Sequence, residues 1–277
     1  MGEKGRLRKV VFFTDLNKLN DVLNIYNIES FSGKKIPIKL HLGEKNNKYF
    51  LKPDLAKLIV DELKKVNADP FLFDTTVAYS GMRSKKHSYL KLAKIHGFTE
   101  KEVGCPIVIS NIGVDVKTRD MTVHVCKELI EADGILVVSH VKGHCCYGFG
   151  GAIKNLGMGG VTPESKKEIH SAGQAETDDL LAQSAQAVLS GLKKVFYINF
   201  LIDIAKNCDC ANDAGPIVAE DIGILFGQDI VAIDKASVDL IYQQKPKVFD
   251  KLHDHDPYLQ IKYAKELGLG EEEYDIS

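Results

Sequence analysis

Within a few residues of Gly134 the chain commits itself to a fold class. Ile135 to Ser139 is a short run, apolar through Val138, suited to a strand buried on both faces, and such strands belong to parallel sheets covered by helices. From His140 the character changes abruptly into a loop that carries His140, Lys142, His144, Cys145, Cys146, Gly148, Gly150, Gly151 and Lys154. In open α/β sheets, ligands bind beyond the carboxyl ends of the strands, so chemistry is expected just past Ser139.

The rest of the chain alternates in the same sense. Val10–Thr14, Ile36–Leu42, Phe71–Phe73, Ile107–Ser110, Val195–Phe200 and Ile222–Phe226 read as strands, with Ile230–Ile233 as a further short one. Helical spacing marks Leu16–Tyr26, Pro53–Val66 (Leu55, Leu58, Ile59, Leu63, Val66), Ser84–His96 and Ala175–Leu192, with helices also expected after Asp234, as its N-cap, and after Pro257. Residues 114–132 suggest a hairpin before a helix. The expectation is one three-layer α/β domain over residues 1–277, with a mostly parallel sheet, helices on both faces and a small antiparallel subregion.

Composition excludes several function classes. The chain has 277 residues, enough to bury a core without staples, and 36 basic against 38 acidic residues, so nothing global favours nucleic acid or an anionic membrane surface. Gly2 invites an acylation reading, but Arg6 stands where Ser or Thr is needed. No apolar run reaches membrane length, no leader-like segment follows the basic start, and the cysteines lack a Cys-x-x-Cys spacing. A cytoplasmic protein with reduced thiols is expected.

His140 and His144 are four residues apart, about 13 Å in an extended strand, so a divalent metal shared between them needs the chain to turn near Lys142-Gly143. Otherwise one is a buried hydrogen-bonding residue and the other exposed. Gly148-Phe149-Gly150-Gly151 ahead of Lys154-Asn155 can present main-chain amides and an ammonium to an anion, or can serve close packing alone. It matches neither the dinucleotide nor the P-loop pattern, and there is no Gly-x-Ser-x-Gly elbow. Cys145, Cys146, Cys208 and Cys210 supply four sulfurs if the two pairs meet, and buried thiols if they do not.

The wording His140-Val141-Lys142-Gly143-His144 followed by Gly148 to Gly159 resembles the domain-of-unknown-function 362 family, often labelled iron–sulfur center proteins. The resemblance extends over most of the chain, through Asp74–Arg83, Ser139, His170-Ser171, Cys208-Asp209-Cys210 and Asp221-Ile222-Gly223. Many relatives have a ferredoxin-like insertion after the His-Ser segment; here His170-Ser171 leads directly to the helix from Ala175. A four-iron cluster of that origin is therefore not expected.

These readings converge on an enzyme that binds an anionic small molecule or phosphate-bearing cofactor. His140, His144 and Lys142 would be catalytic, with His140 and His144 as metal ligands. Thr75, Arg83, Ser139, Gly148, Gly150, Gly151, Lys154, Asn155 and His170 would bind substrate. The alternatives are a non-catalytic or electron-transfer accessory domain working with a separate iron–sulfur protein, and a scaffold whose glycine loop serves packing only.

Overall fold

The structure is a computed structural model that describes residues 8–277, so the Gly2 and Arg6 motif lies outside the described residues. Twelve strands follow in chain order: β1 (Arg8–Phe13), β2 (Lys35–Leu40), β3 (Asp69–Thr75), β4 (Ile107–Ser110), β5 (Gly113–Lys117), β6 (Thr122–Cys126), β7 (Gly134–His140), β8 (Lys142–His144), β9 (Gly148–Gly150), β10 (Lys194–Leu201), β11 (Gly223–Gly227) and β12 (Tyr274–Ile276). Eight of them form the main sheet, ordered β12-β1-β11-β10-β7-β2-β3-β4. Every pair from β10 to β4 is parallel, and β11 alone runs against its neighbours.

Every residue of β7 is buried, as the apolar run from Ile135 requires. Because successive side chains of a strand point to opposite faces, Ile135 and Val137 enter one core while Leu136 and Val138 enter the other. The first core is closed by the helices Ala152–Gly159, Gln174–Leu189, Ile230–Gln244 and Tyr258–Glu266; the second by Leu19–Ile25, Pro53–Lys65 and Lys86–Ile95. This is the expected three-layer architecture with a mostly parallel sheet. The antiparallel excursions are the hairpins β5–β6 and β8–β9.

Local differences from the sequence reading have physical causes. Pro53–Lys65 buries Ala56, Ile59, Val60 and Leu63, and leaves Leu58 exposed, so its apolar stripe is rotated from the expected one. Ile230–Ile233 is not a strand but the first turn of the helix Ile230–Gln244. Asp229 caps that turn, accepting from the Val231 and Ala232 amides at 3.0 and 2.9 Å, which frees Asp234 from the capping role assigned to it. Since the turn is buried on all sides, its sequence shows no polar face to betray a helix.

Candidate functional site

β2, β3, β7 and β10 lie side by side and parallel, so their carboxyl ends share one edge of the sheet. The loops leaving that edge meet the helices Ala152–Gly159 and Pro163–Ser171 around a cavity of about 230 Å³. One wall of the cavity is cationic and the other carries sulfur.

The cationic wall is built on Asp74, at the end of β3. Lys39 reaches its Oδ1 at 3.1 Å, while Arg83, at 3.6 Å, and the Tyr89 hydroxyl, which donates, share its Oδ2. Burial alone would raise the Asp74 pKa, but Lys39, Arg83 and Lys166 outweigh it and hold the carboxylate below its ordinary value. Lys166 donates to the Thr75 hydroxyl and to the Thr76 carbonyl, at 2.6 Å in the second case. Burial, with the charges of Arg83 and Lys39 adding to it, pushes the Lys166 ammonium down to about 7 despite Asp74. His41, just past β2, accepts from the Gly43 amide at 3.0 Å through Nδ1, and its Nε2 has no hydrogen-bond partner among the described residues. The Arg83 Nε is buried and unpartnered in the same way.

The opposite wall brings both cysteine pairs to His144. The ligand atoms of His144, Cys208 and Cys210 lie within 4.8 Å of one another, and so do those of His144, Cys145 and Cys146. His144 Nε2 is 3.8 Å from the Cys210 sulfur, and Lys154 places its ammonium 3.2 Å from Cys208 and 3.8 Å from Cys210. Burial works against that ammonium, but the two sulfurs hold its pKa above the ordinary lysine value. Its neighbour Cys210 first, and then Lys154 against the cost of burial, draw the Cys208 thiol toward the thiolate, while Cys210 is held as the thiol.

The two histidines of the expected metal pair go different ways. His140 is buried with Nδ1 on Asp209 at 2.8 Å and Nε2 on the Ile202 carbonyl at 2.8 Å, so both nitrogens are already engaged. Lys142 is likewise held by Asp209, at 3.0 Å, and by the His140 carbonyl. Neither side chain lines the cavity. The reversal that sequence placed at Lys142-Gly143 falls at Cys145–Tyr147, between β8 and β9, with Gly148 at φ +70°. Gly143 instead lies so close to the Lys206 carbonyl that a Cβ would collide with it.

The glycine segment also differs from its expected use. The Ala152 and Ile153 amides that open the helix donate to Asp234, at 2.7 and 2.8 Å, so a carboxylate of the chain itself takes the place reserved for a ligand anion. Gly151 packs against that carboxylate and Gly148 against the Pro257 backbone, while Gly150 has only ordinary contacts, with Lys154 and Lys142. Among the other expected contacts, Arg83, Lys154, Asn155 and His170 do line the cavity. Ser139 and Thr75 stand behind it: Ser139 accepts from Asn155 at 3.1 Å, and Thr75 anchors Lys166. Asn155 also accepts from Lys39 at 2.8 Å. Lys39, His41 and Lys166 stand outside the expected site because they share no motif; Lys39 and His41 carry one signal, a polar residue breaking an otherwise apolar strand.

A family model described as Domain of unknown function (DUF362) matches residues 36–239. No curated protein matches the chain in sequence. Similar solved structures include the lactate racemase apoprotein from Thermoanaerobacterium thermosaccharolyticum, at 14% identity and TM-score 0.49, with 73% of this chain and 52% of that one covered. Another is a protein from Thermotoga maritima, at 13% identity and TM-score 0.50, with 91% and 59% covered. The chain thus spans less than two thirds of either structure, and the second likeness shows a shared fold alone. No helix among the described residues is long and apolar enough to cross a membrane.

Proposed function

The chain belongs to the domain-of-unknown-function 362 family, and from that premise we propose that it is a cytoplasmic enzyme that binds a compact carboxylate or phosphate compound in the cavity beyond β2, β3 and β7 and moves a proton on it. The observation that carries this reading is an imbalance: Lys39, Arg83, Lys154 and Lys166 line the cavity, Asp74 is the one carboxylate among its described lining residues, and behind them Glu44 stands 3.9 Å from Arg83 and Cys208 3.2 Å from Lys154. Buried donors without partners are costly, so the free Nε2 of His41 and Nε of Arg83 favour a ligand rich in acceptors.

In this reading Arg83 and Lys39 offset the ligand's charge, and Asn155, whose oxygen accepts from Lys39 at 2.8 Å, holds that ammonium in place. Lys166 is the acid–base group, since an amine near neutrality exchanges protons readily at working pH, and Thr75 fixes its direction. Thermal unfolding against inorganic phosphate, small phosphate esters and mono- and dicarboxylates tests it. At least one anion is expected to raise Tm in the wild type, by much less in Arg83→Gln, and by less as pH rises. A panel in which no anion stabilises the wild type removes the reading.

A second reading, an electron-transfer accessory domain serving a separate iron–sulfur protein, draws support from the convergence of both cysteine pairs on His144. Iron with acid-labile sulfide in protein purified without oxygen would favour it.

A further inference from the structure

We propose that His144, Cys208 and Cys210 bind one thiophilic ion of the Zn²⁺ type, open to the cavity on its fourth side. The inference goes beyond anion binding and does not depend on it. Two thiolates and an imidazole form a borderline-soft donor set that suits zinc, and three protein ligands with an open position are the pattern of a reactive rather than a purely structural site. The geometry agrees. Tetrahedral zinc with ordinary bond lengths sets nitrogen and sulfur about 3.6 Å apart, and His144 Nε2 lies 3.8 Å from Cys210. All three ligand atoms fall within 4.8 Å of one another.

The segment that carries the two cysteines is braced from behind. Asp209, between the two cysteines, is clamped by His140 at 2.8 Å and Lys142 at 3.0 Å, and its carbonyl accepts from the Glu44 amide at 2.9 Å. The carbonyl of Cys208 takes the Asn47 side chain at 3.2 Å, and that of Cys210 takes Tyr79 at 3.3 Å. Cysteines held from behind in this way lose little freedom on binding an ion. This gives His140 and Lys142 a use as positioning residues. The other sulfur pair is less prepared, because Cys145 is exposed at the tip of the β8–β9 hairpin.

As it stands, His144 Nδ1 accepts from the Cys146 amide at 3.1 Å, so Nε2 holds the hydrogen. An ion at Nε2 would move that hydrogen to Nδ1 and turn the amide away, so the hairpin tip must adjust on loading. His144 and Cys210 line the cavity whereas Cys208 lies behind them, which points the open position toward any bound ligand.

The test uses the full chain, reduced and stripped with a chelator, titrated with Co²⁺ and then Zn²⁺. One equivalent of Co²⁺ is expected to give thiolate charge-transfer absorption and the intense visible bands of a tetrahedral ion, both erased by one equivalent of Zn²⁺. Cys208→Ser and Cys210→Ser should each weaken Zn²⁺ binding by about 100-fold or more, with circular dichroism confirming that each is folded. Cys145→Ser and Cys146→Ser should change it by less than about threefold. Absence of the cobalt spectrum in the wild type overturns the proposal. So does loss of binding confined to the Cys145 and Cys146 variants, and so does a stoichiometric iron–sulfide cluster in the isolated protein.

Discussion

Lys166 is where charge and burial meet the proposed proton transfer in one residue. Its folded-state pKa, near 7, lies below the value of an exposed lysine, so between the two the unfolded chain binds the extra proton and stability rises with pH. Below pH 7 both states are protonated and the cost of burying the charge is fully present. A bound anion favours the protonated amine, so binding takes up a proton and affinity should fall above pH 7 by up to about tenfold per unit. Lys166→Met should flatten that dependence in a calorimetric titration; an unchanged slope would assign the proton to another group. None of this was legible in the sequence, where Lys166 is one of two adjacent lysines on a polar helix. Only the fold places it over Thr75 and Thr76, in a field shared with Lys39 and Arg83. Asp234 is the second such residue. It takes the Ala152 and Ile153 amides and the Asn199 side chain, so Asp234→Ala leaves the two buried amides unpaired and Asn199 with Ser237 alone, at 2.9 Å. A loss of about 2–4 kcal/mol in urea denaturation is expected.

The helix Ala152–Gly159 decides how near the cavity floor can come to the sheet. A Cβ on Gly159 would fall inside the Lys39 side chain, and one on Gly157 would stand 2.7 Å from the Leu181 carbonyl. Both glycines therefore exist for close approach, Gly159 toward β2 and Gly157 toward the helix Gln174–Leu189. Gly159→Ala should displace Lys39 from Asp74 and Asn155, abolish anion-induced stabilisation, and cost about 1–3 kcal/mol. A variant that binds as the wild type does would show that Lys39 is not needed. Elements with ordinary patterns were readable in advance: the buried strand β7, the Pro53-initiated helix and the strand β10 fall within a residue or two of expectation. This glycine-rich helix was not, because its residues answer to neighbours rather than to helix propensity. Asp234 shows the same limit, since its partners are the amides of Ala152 and Ile153, far away in the chain.

At the scale of the whole molecule, the parallel order β10-β7-β2-β3 collects loops from distant parts of the chain on one edge. Sequence could point past Ser139, where the cavity lies, because strand ends are where such sheets bind ligands, but not say which other loops would join it. Those loops are tied to one another: Glu44 donates to the Asp209 carbonyl, Tyr79 to that of Cys210, and Gly143 to that of Ala205. A ligand in the cavity should thus slow amide exchange in segments 41–47, 76–84, 143–147 and 205–211 together, although they follow four different strands, β2, β3, β7 and β10. The far edge, where β12 pairs with β1, touches none of them and should exchange as before. Protection confined to 143–147 would mean that the hairpin alone binds and that no shared cavity operates. Protection of all four, lost in Arg83→Gln and retained in Cys145→Ser, would tie the response to the cationic wall, because Arg83 belongs to it and the exposed Cys145 does not.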